Sequence, residues 1–99
     1  MEDSSDGSGT THKFTLFVSG MSVKSGHAIE NLRKIYDTYF ADNYEVEIID
    51  ISRDKEQAVI HQIVAIPTLI RTGPEPRRII LGDLSDTDKV LKILNIREI

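Results

Sequence analysis

The sequence predicts an α/β domain of two layers, in which a mixed four-stranded sheet packs against helices. Three observations support this prediction. Short apolar runs alternate with stretches of helical spacing, an apolar-proline-threonine step follows the second helical stretch, and turn residues separate two more apolar runs. Along the 99 residues, the predicted order of elements is β-α-β-α-β-β-α.

The first predicted strand and helix are defined by their apolar patterns. Residues 14–18 are β-branched, aromatic and mostly apolar, which predicts a central strand buried on both faces. Over residues 28–40 the apolar side chains fall on one stripe, which predicts a helix. Ser25 is the candidate N-cap, with Ser22 as the alternative, and Asn43 suits the C-cap.

A second strand and a short helix follow. Residues 44–51 alternate between apolar and charged, then become apolar, which predicts a strand that is more buried in its second half. Strand, helix and strand in this order predict a crossover with parallel strands. Asp54 with Gln57 resembles a capping box, and the helix that it opens is expected to end near Val64 or Ala65, because Pro67 follows.

The last third of the chain predicts a hairpin and a helix. Pro67 opens a strand that runs to Arg71, since proline is tolerated at the first residue of a strand. Turn residues at 72–76 connect it to an antiparallel strand at 77–81. Ser85, with an aspartate three residues later, forms a second capping box that opens the final helix.

Composition excludes several classes of function. Residues 1–13 are polar and rich in Ser, Gly and Asp, which predicts a disordered leader before a domain at 14–99. No apolar stretch is long enough for a secretory signal or a membrane helix. The absence of cysteine excludes disulfides, thiolate zinc sites and thiol redox chemistry, and it fits a cytoplasmic protein. A net charge of -4 argues against nucleic acid as the main partner.

Side chains that could support catalysis or bind a metal form no recognisable pattern. His12, His27 and His61 lack the spacing of metal ligands. Glu45 and Glu47 share a strand face, and a solvated face explains them better than an acid–base pair does. We therefore expect no metal and no cofactor. The basic residues, by contrast, predict either a solvated surface or a patch for a partner; they are Lys24, Arg33, Lys34, Arg71, Arg77 and Arg78.

The element order and the step at Pro67 resemble the thioredoxin-like fold, whose third strand follows a cis-proline. The loop at residues 19–25 takes the place of the thioredoxin cysteines, and without a thiolate it cannot exchange disulfides. A glutathione-activating enzyme that uses the hydroxyl of Ser19, Ser22 or Ser25 is the remaining enzymatic alternative.

The second half of the chain also resembles the KaiB family. The resemblance rests on Ala65-Ile66-Pro67-Thr68-Leu69, a proline-containing turn, residues 76–86 with their paired arginines and Gly-Asp-Leu-Ser, and Lys89-Val90-Leu91. This chain has one residue more than the family pattern, Leu81, before the glycine. The first half agrees more loosely, and the resemblance extends over roughly residues 13–94.

The resemblance to KaiB implies a non-enzymatic binding protein. KaiB-like proteins dock on the ring of the KaiC ATPase and, in clock systems, help to sequester KaiA. Some members convert from a tetrameric ground state with its own fold to a monomeric thioredoxin-like state, so the ground-state fold is the alternative here. Two further alternatives are a KaiB-like sensor domain of a KaiC-binding histidine kinase, and a KaiB relative that acts on a KaiC-like ATPase in stress adaptation.

This chain departs from the clock members at positions linked to fold choice and to docking. Ile93 and Asn95 replace a Gly-x-Asp, and replacing glycine in a helix interior favours the helix by a few tenths of a kcal/mol. We therefore expect the thioredoxin-like state, with a cis bond between Ile66 and Pro67. The family's acidic tail is missing, and basic residues of the family align with His27 and Gln62.

The resemblance and the charge pattern together suggest a set of candidate residues. The candidates for partner contacts are Arg77, Arg78, Lys24, His27, Glu47 and Asp50. The candidates for structural roles are Pro67, Thr68, Gly82, Asp83, Ser85 and Ile93. A monomer, a dimer and a tetramer are equally compatible with the sequence, because an exposed strand edge invites self-association.

Overall fold

The computed structural model describes residues 11–20, 22–40 and 43–95, and the predicted order of elements is confirmed in them. The elements are β1 (His12–Val18), α1 (Val23–Tyr39), β2 (Tyr44–Asp50), α2 (Lys55–Ile60), β3 (Thr68–Gly73), β4 (Arg78–Leu81) and α3 (Thr87–Leu94).

The four strands form one sheet in the order β2-β1-β3-β4. β1 is parallel to β2 and antiparallel to β3, and β3 and β4 form an antiparallel hairpin, so the predicted crossover and hairpin are both confirmed. The peptide bond between Ile66 and Pro67 is cis, as expected for the thioredoxin-like arrangement.

The strand register defines two ends of the sheet, and the surface residues are described by the end at which they lie. At one end Phe17 pairs with Thr68, which in turn pairs with Leu81; this is called the Pro67 end. The opposite end, where Phe14 pairs with Arg71 and Arg71 with Arg78, is called the Arg78 end.

The main core lies between one face of the sheet and helices α1 and α3. Alternate side chains of β1 enter it, because successive side chains of a strand point to opposite faces. The strands contribute Phe14, Leu16, Val18, Leu69 and Ile80, and the helices contribute Ala28, Leu32, Ile35, Val90, Leu91 and Leu94. Ile93 lies within α3 and packs against this core, as predicted for a helix at that position.

The other face of the sheet is covered only in part. Phe17, Thr68 and Ile70 are buried on this face, and the ring of His61 lies 5.1 Å from that of Phe17. Thr68 Oγ1 donates a hydrogen bond to the carbonyl oxygen of Ala65 at 2.6 Å, which ties the segment before Pro67 to β3. α2 itself contains no buried residue.

Helix α1 begins at the alternative cap, and the prediction of Ser25 was wrong. Ser22 is the N-cap and accepts a hydrogen bond from the amide of Ser25, whose own side chain is fully buried beneath the first turn. The helix ends at Tyr39, which agrees with the predicted end of the apolar stripe at residue 40, but its C-cap is Phe40 and not Asn43. The ring of Phe40 is buried against Phe14, so tertiary packing decides where the helix stops.

The N-cap of α3 also differs by one residue from the prediction. Asp86 Oδ1 accepts the amide of Lys89, while the amide of Ser85 donates to Asp83. Ser85 therefore belongs to the preceding turn. Asn95 has a left-handed backbone at the C-terminal end of the helix, a conformation that asparagine tolerates.

Two boundaries were predicted incorrectly, those at the start of β1 and the end of α2, and the greater burial predicted for the second half of β2 is found only at the half-buried Ile49 and Asp50. β1 begins at His12, so His12 and Lys13 are strand residues and not part of a leader; residues 1–10 lie outside the described residues. β2 is an edge strand with no buried residue, and Ile48 in its second half is 48% exposed. α2 ends at Ile60 and not near Val64, and Asp54 forms no side-chain capping bond.

Arg71 is a buried cation that fastens the end of α3 to the hairpin. It is 4% exposed, and its Nη1 donates to the carbonyl of Leu94 at 2.7 Å while its Nη2 donates to the carbonyl of Pro76 at 3.0 Å. Burial and the charge of Arg78 lower the pKa of Arg71. Because a buried cation needs oxygen partners, these two carbonyls hold the helix and the turn in place.

Replacing Arg71 with Ala should destabilise the protein by about 2–4 kcal/mol, because two charge-assisted hydrogen bonds are lost and buried carbonyls are left without a donor. The free energy of unfolding in urea measures this. Arg77→Ala is the matched control, since Arg77 is exposed, and it should change stability by about 0.5 kcal/mol or less. Equal effects of the two substitutions would contradict the proposed role of Arg71.

His12 should make the stability depend on pH. Its ring lies 4.5 Å from that of Phe40 and 6.3 Å from that of Phe14, and its Nδ1 has no hydrogen-bond partner. Burial, and then the charge of Arg71, lower the pKa of His12. The neutral ring therefore stabilises the fold above the unfolded-state pKa of about 6.5, and this contribution is lost as the pH falls towards the lowered folded-state pKa.

The test is urea unfolding at about pH 7.5 and about pH 5.5, on either side of the unfolded-state pKa. His12→Phe keeps an aromatic ring at the site and should reduce the loss of stability at the lower pH. His27→Gln, at an exposed position, should retain that loss. A pH dependence that is the same in all three proteins would rule out His12 as its source.

Candidate docking surface

At the Pro67 end, the carboxylate of Asp50 holds the loop that precedes α1. Its Oδ1 accepts hydrogen bonds from the amide of Gly20 at 2.8 Å, from the amide of Ser52 at 3.0 Å and from the hydroxyl of Ser52 at 2.6 Å. The Ser52 hydroxyl and then the Gly20 amide lower the pKa of Asp50. Asp50 was predicted as a partner contact, and in the structure its carboxylate holds this loop through hydrogen bonds.

Gly20 allows that loop to approach β2 closely. Its φ is +43°, and a Cβ atom at this position would lie 3.2 Å from Ser52 Oγ. A larger residue would be strained in this conformation and would also press on the Ser52 hydroxyl that Asp50 binds.

The serine hydroxyls of the same loop are bonded within the chain. Ser22 Oγ donates to Ser25 Oγ at 2.7 Å, and Ser25 Oγ accepts the amide of Ser19 at 3.0 Å. Ser25 is fully buried. The hydroxyls near the position of the thioredoxin cysteines therefore cap the helix and close the loop.

Lys24 and His27 lie near the turn that follows β4. Both charges contribute to lowering the pKa of Asp83, after the larger effects of the Ser85 hydroxyl and amide. Asn31 Nδ2 donates to the carbonyl of Asp83 at 2.8 Å and joins α1 directly to this turn. Two candidate partner residues and the candidate structural residue Asp83 are therefore brought together. Sequence analysis did not identify Asn31.

Pro67 and Gly82 connect this turn to the start of β3. The amide of Gly82 donates to the carbonyl of Pro67 at 2.9 Å, and the φ of Gly82 is +105°, which glycine adopts readily. Pro67, Thr68, Gly82 and Asp83, which are candidates for structural roles, thus all lie at the Pro67 end.

The other candidate partner residues do not join this group. Arg78 pairs with Arg71 at the far end of β4, about 10 Å along the strand from Leu81 at the usual rise of about 3.3 Å per residue. Arg77 precedes Arg78 and is also exposed. Glu47 is exposed on the edge strand β2, paired through the backbone with Thr15. The predicted residues therefore form separate patches.

Exposed aliphatic side chains near the Pro67 end were not predicted. Val59 and Ile60 of α2 are 77% and 66% exposed, and Val64 is 88% exposed. The segment that contains them follows Asp50 and leads into Pro67, so it begins and ends at this end of the sheet. The sequence contained a signal, because adjacent apolar pairs at 59–60 and 63–64 exceed what one face of a short helix can bury.

The described part of the chain contains neither a candidate metal site nor a helix suited to a membrane. Within residues 11–20, 22–40 and 43–95, no group of three or more His, Asp or Glu side chains is placed to hold a metal ion. No helix in those ranges is both long enough and apolar enough to cross a membrane.

Removing the Asp50 carboxylate should loosen the loop before α1. Asp50→Ala should speed amide hydrogen exchange at Gly20 and Ser52 by about tenfold or more, because both amides lose their acceptor. Asp54→Ala is the control, since Asp54 forms no side-chain capping bond. In the parent protein the protection should persist near neutral pH and be lost as the pH falls through the lowered pKa of Asp50. Unchanged exchange in Asp50→Ala would show that the loop is held by other contacts.

Comparison with proteins of known sequence shows extensive similarity to clock proteins. The chain is 42% identical over 81 residues to the circadian clock protein KaiB3 of Synechocystis sp., covering 82% of this chain and 79% of that protein. It is 38% identical over 81 residues to the circadian clock oscillator protein KaiB of Picosynechococcus sp., covering 82% and 78%.

Comparison with solved structures shows the fold. The N-terminal domain of Synechococcus elongatus SasA matches with a TM-score of 0.70 at 22% identity, covering 90% of this chain and 88% of that domain. The thioredoxin of Fasciola hepatica matches with a TM-score of 0.69 at 12% identity, covering 91% and 85%. These likenesses confirm the thioredoxin-like fold. The family model of the KaiB domain matches residues 15–96 of this chain. Together with the identity to KaiB3 and KaiB, this match shows that the chain belongs to the KaiB family.

Proposed function

We propose that this protein is a non-enzymatic adaptor that docks on a KaiC-type ATPase and modulates its clock or stress-related signalling. Membership of the KaiB family supports the choice of partner, and the curated relatives are named as circadian clock proteins. The observation that carries the proposal is the exposure of Val59, Ile60 and Val64, which contribute nothing to the core of this chain. Where exposed apolar side chains lie together, as along this short segment, they commonly mark a contact with another protein.

The proposed docking surface is the Pro67 end. Its exposed aliphatic side chains supply apolar area, and Lys24 and His27, near the turn after β4 at the same end of the sheet, supply polar and charged groups. Such a combination of apolar centre and polar rim is usual in protein interfaces. The hydrogen bonds of Asp50 and Asn31 hold the start of α1 and the turn after β4 in fixed positions, so that the surface is formed before the partner arrives.

The family resemblance favours this adaptor over a sensor domain of a histidine kinase. Identity to KaiB and KaiB3 is 38–42%, whereas identity to the SasA domain is 22% and supports the fold alone. KaiA and a histidine kinase are proposed as further partners. Thiol–disulfide exchange is excluded for this chain, because the sequence contains no cysteine.

The test is a binding titration of the purified protein against the KaiC-type ATPase of the same organism, in ATP and in ADP. We expect saturable binding. Replacing Val59 and Ile60 with Ser should weaken it by about tenfold or more, because central apolar contacts contribute most of the affinity of an interface. Arg33→Ala with Lys34→Ala, on the exposed face of α1, should leave the affinity unchanged.

Two further variants locate the contact. Lys24→Ala with His27→Ala reports on the Pro67 end, and Arg77→Ala with Arg78→Ala reports on the Arg78 end. Weaker binding only in the arginine variant would move the docking surface to the Arg78 end. Absence of binding in either nucleotide, by a protein whose circular dichroism shows it to be folded, would contradict the proposed function.

A further inference from the structure

The two edge strands of the sheet carry opposite charge. Glu45 and Glu47 are exposed on β2, on the face that does not hold the main core, because they pair with Lys13 and Thr15. At the other edge, Arg78 begins β4 and Arg77 immediately precedes it, and both are exposed. The molecule therefore presents an acidic edge and a basic edge on opposite sides of one sheet.

Both edges are open in the described chain. Over residues 11–20, 22–40 and 43–95, β2 pairs only with β1, and β4 pairs only with β3. The outer side of each strand thus has backbone donors and acceptors that no other described strand satisfies. Such an edge is a template for pairing with a further strand.

Among the described residues Glu45, Glu47, Arg77 and Arg78 form no ion pair, although Lys13 lies next to Glu45 in the register of the sheet. The ion pairs found there join Arg33 to Glu30 and Arg53 to Asp50. Arg78 instead lies opposite Arg71 across the hairpin, so two cations are held side by side. A carboxylate brought to this edge from outside would offset the repulsion between them.

Half-exposed aliphatic side chains accompany the charges on both edges. Ile79 and Leu81 of β4 are 51% and 55% exposed, and Ile48 of β2 is 48% exposed. A contact that covers these residues removes apolar area from water while the charged groups form its rim.

We propose that the β4 edge of one copy pairs with the β2 edge of a second copy, so that the sheet continues from one molecule into the next. Arg78 lies on the core face of the sheet, like Ile80, whereas Glu45 and Glu47 lie on the other face. The second copy is therefore turned over, with its β2 antiparallel to β4, so that Arg78 lies on the same face as the neighbour's Glu45 and Glu47, and Arg77 lies at the rim of the contact. The second copy is the occupant because it offers an open edge strand with complementary charge. The contact joins different surfaces of the two molecules, so it leaves a free edge at each end and allows further copies to add.

This proposal is independent of docking on an ATPase, and its test uses the purified protein alone. The docking surface proposed for the ATPase is the Pro67 end, whereas self-association uses Arg77 and Arg78 at the Arg78 end. Failure of one proposal leaves the other standing, because the ATPase titration measures binding at low concentration of this chain and the experiment below contains no ATPase.

The experiment is sedimentation velocity across a concentration series, in about 50 mM and about 500 mM NaCl, which span weak and strong screening. We expect the mean mass to rise with concentration, and the association constant to fall by about tenfold or more in the higher salt. Arg77→Glu with Arg78→Glu should abolish association by making both edges acidic. Glu45→Lys with Glu47→Lys should abolish it by making both edges basic.

Mixing these two charge-reversed variants is the decisive measurement. Each edge of one variant then meets an edge of opposite charge on the other, so association should return in the mixture although each variant alone is monomeric. A contact that joined β4 to β4 or β2 to β2 would also become complementary in the mixture, but like charges would oppose it in the parent protein. Association of both the parent and the mixture, with neither variant associating alone, therefore identifies the contact between β4 and β2. Arg33→Glu with Lys34→Glu, on the exposed face of α1, should associate like the parent protein.

Three results would overturn the proposal. They are a parent protein that stays monomeric at every concentration in the lower salt, association that survives both charge reversals, and a mixture that stays monomeric. Circular dichroism and urea unfolding establish that each variant is folded. If a charge-reversed variant does not fold, Arg77→Gln with Arg78→Gln and Glu45→Gln with Glu47→Gln replace it, and each pair should then weaken association on its own.

Discussion

Burial of β1 on both faces is the constraint on which the rest of the structure depends. Phe14, Leu16 and Val18 enter the core beneath α1 and α3, while Phe17 is buried on the opposite face. Its neighbours on both sides satisfy its backbone, β2 in parallel and β3 antiparallel. One strand therefore sets the register of the sheet, the side on which the two long helices lie and the position of the Pro67 end.

A few polar contacts between distant parts of the chain fix the positions of loops and helix ends that apolar burial alone does not fix. Asp50 holds the loop before α1, Asn31 joins α1 to the turn after β4, and Arg71 holds the end of α3 to the hairpin. Each contact uses a carboxylate, an amide or a guanidinium whose partner is a backbone group. A substitution changes a side chain but leaves the backbone amide or carbonyl in place. Each of these contacts is therefore lost when the residue that supplies the side chain is replaced.

The protein has a thioredoxin-like fold, but its surface lacks the cysteines of thioredoxins. The loop near the position of the thioredoxin cysteines contains serines that bond to one another and to the backbone. Its unusual surface features are instead exposed aliphatic side chains on α2 and charged edge strands. These features suit contacts with other proteins, and they place the two proposed contacts, with an ATPase and between copies, mainly on different parts of the molecule.

The sequence by itself determined the order of elements, the parallel crossover, the hairpin and the family, because periodicity, Pro67 and the Gly-Asp-Leu-Ser turn are local signals. Only tertiary structure decided that Ser22 and not Ser25 caps α1, since burial of Ser25 depends on distant packing. It also separated Arg77 and Arg78 from Lys24 and His27, and it left Val59 and Val64 in solvent. These outcomes depend on which strand lies at an edge of the sheet and on how far a helix extends over it. The spacing of residue types along the chain gives information on neither.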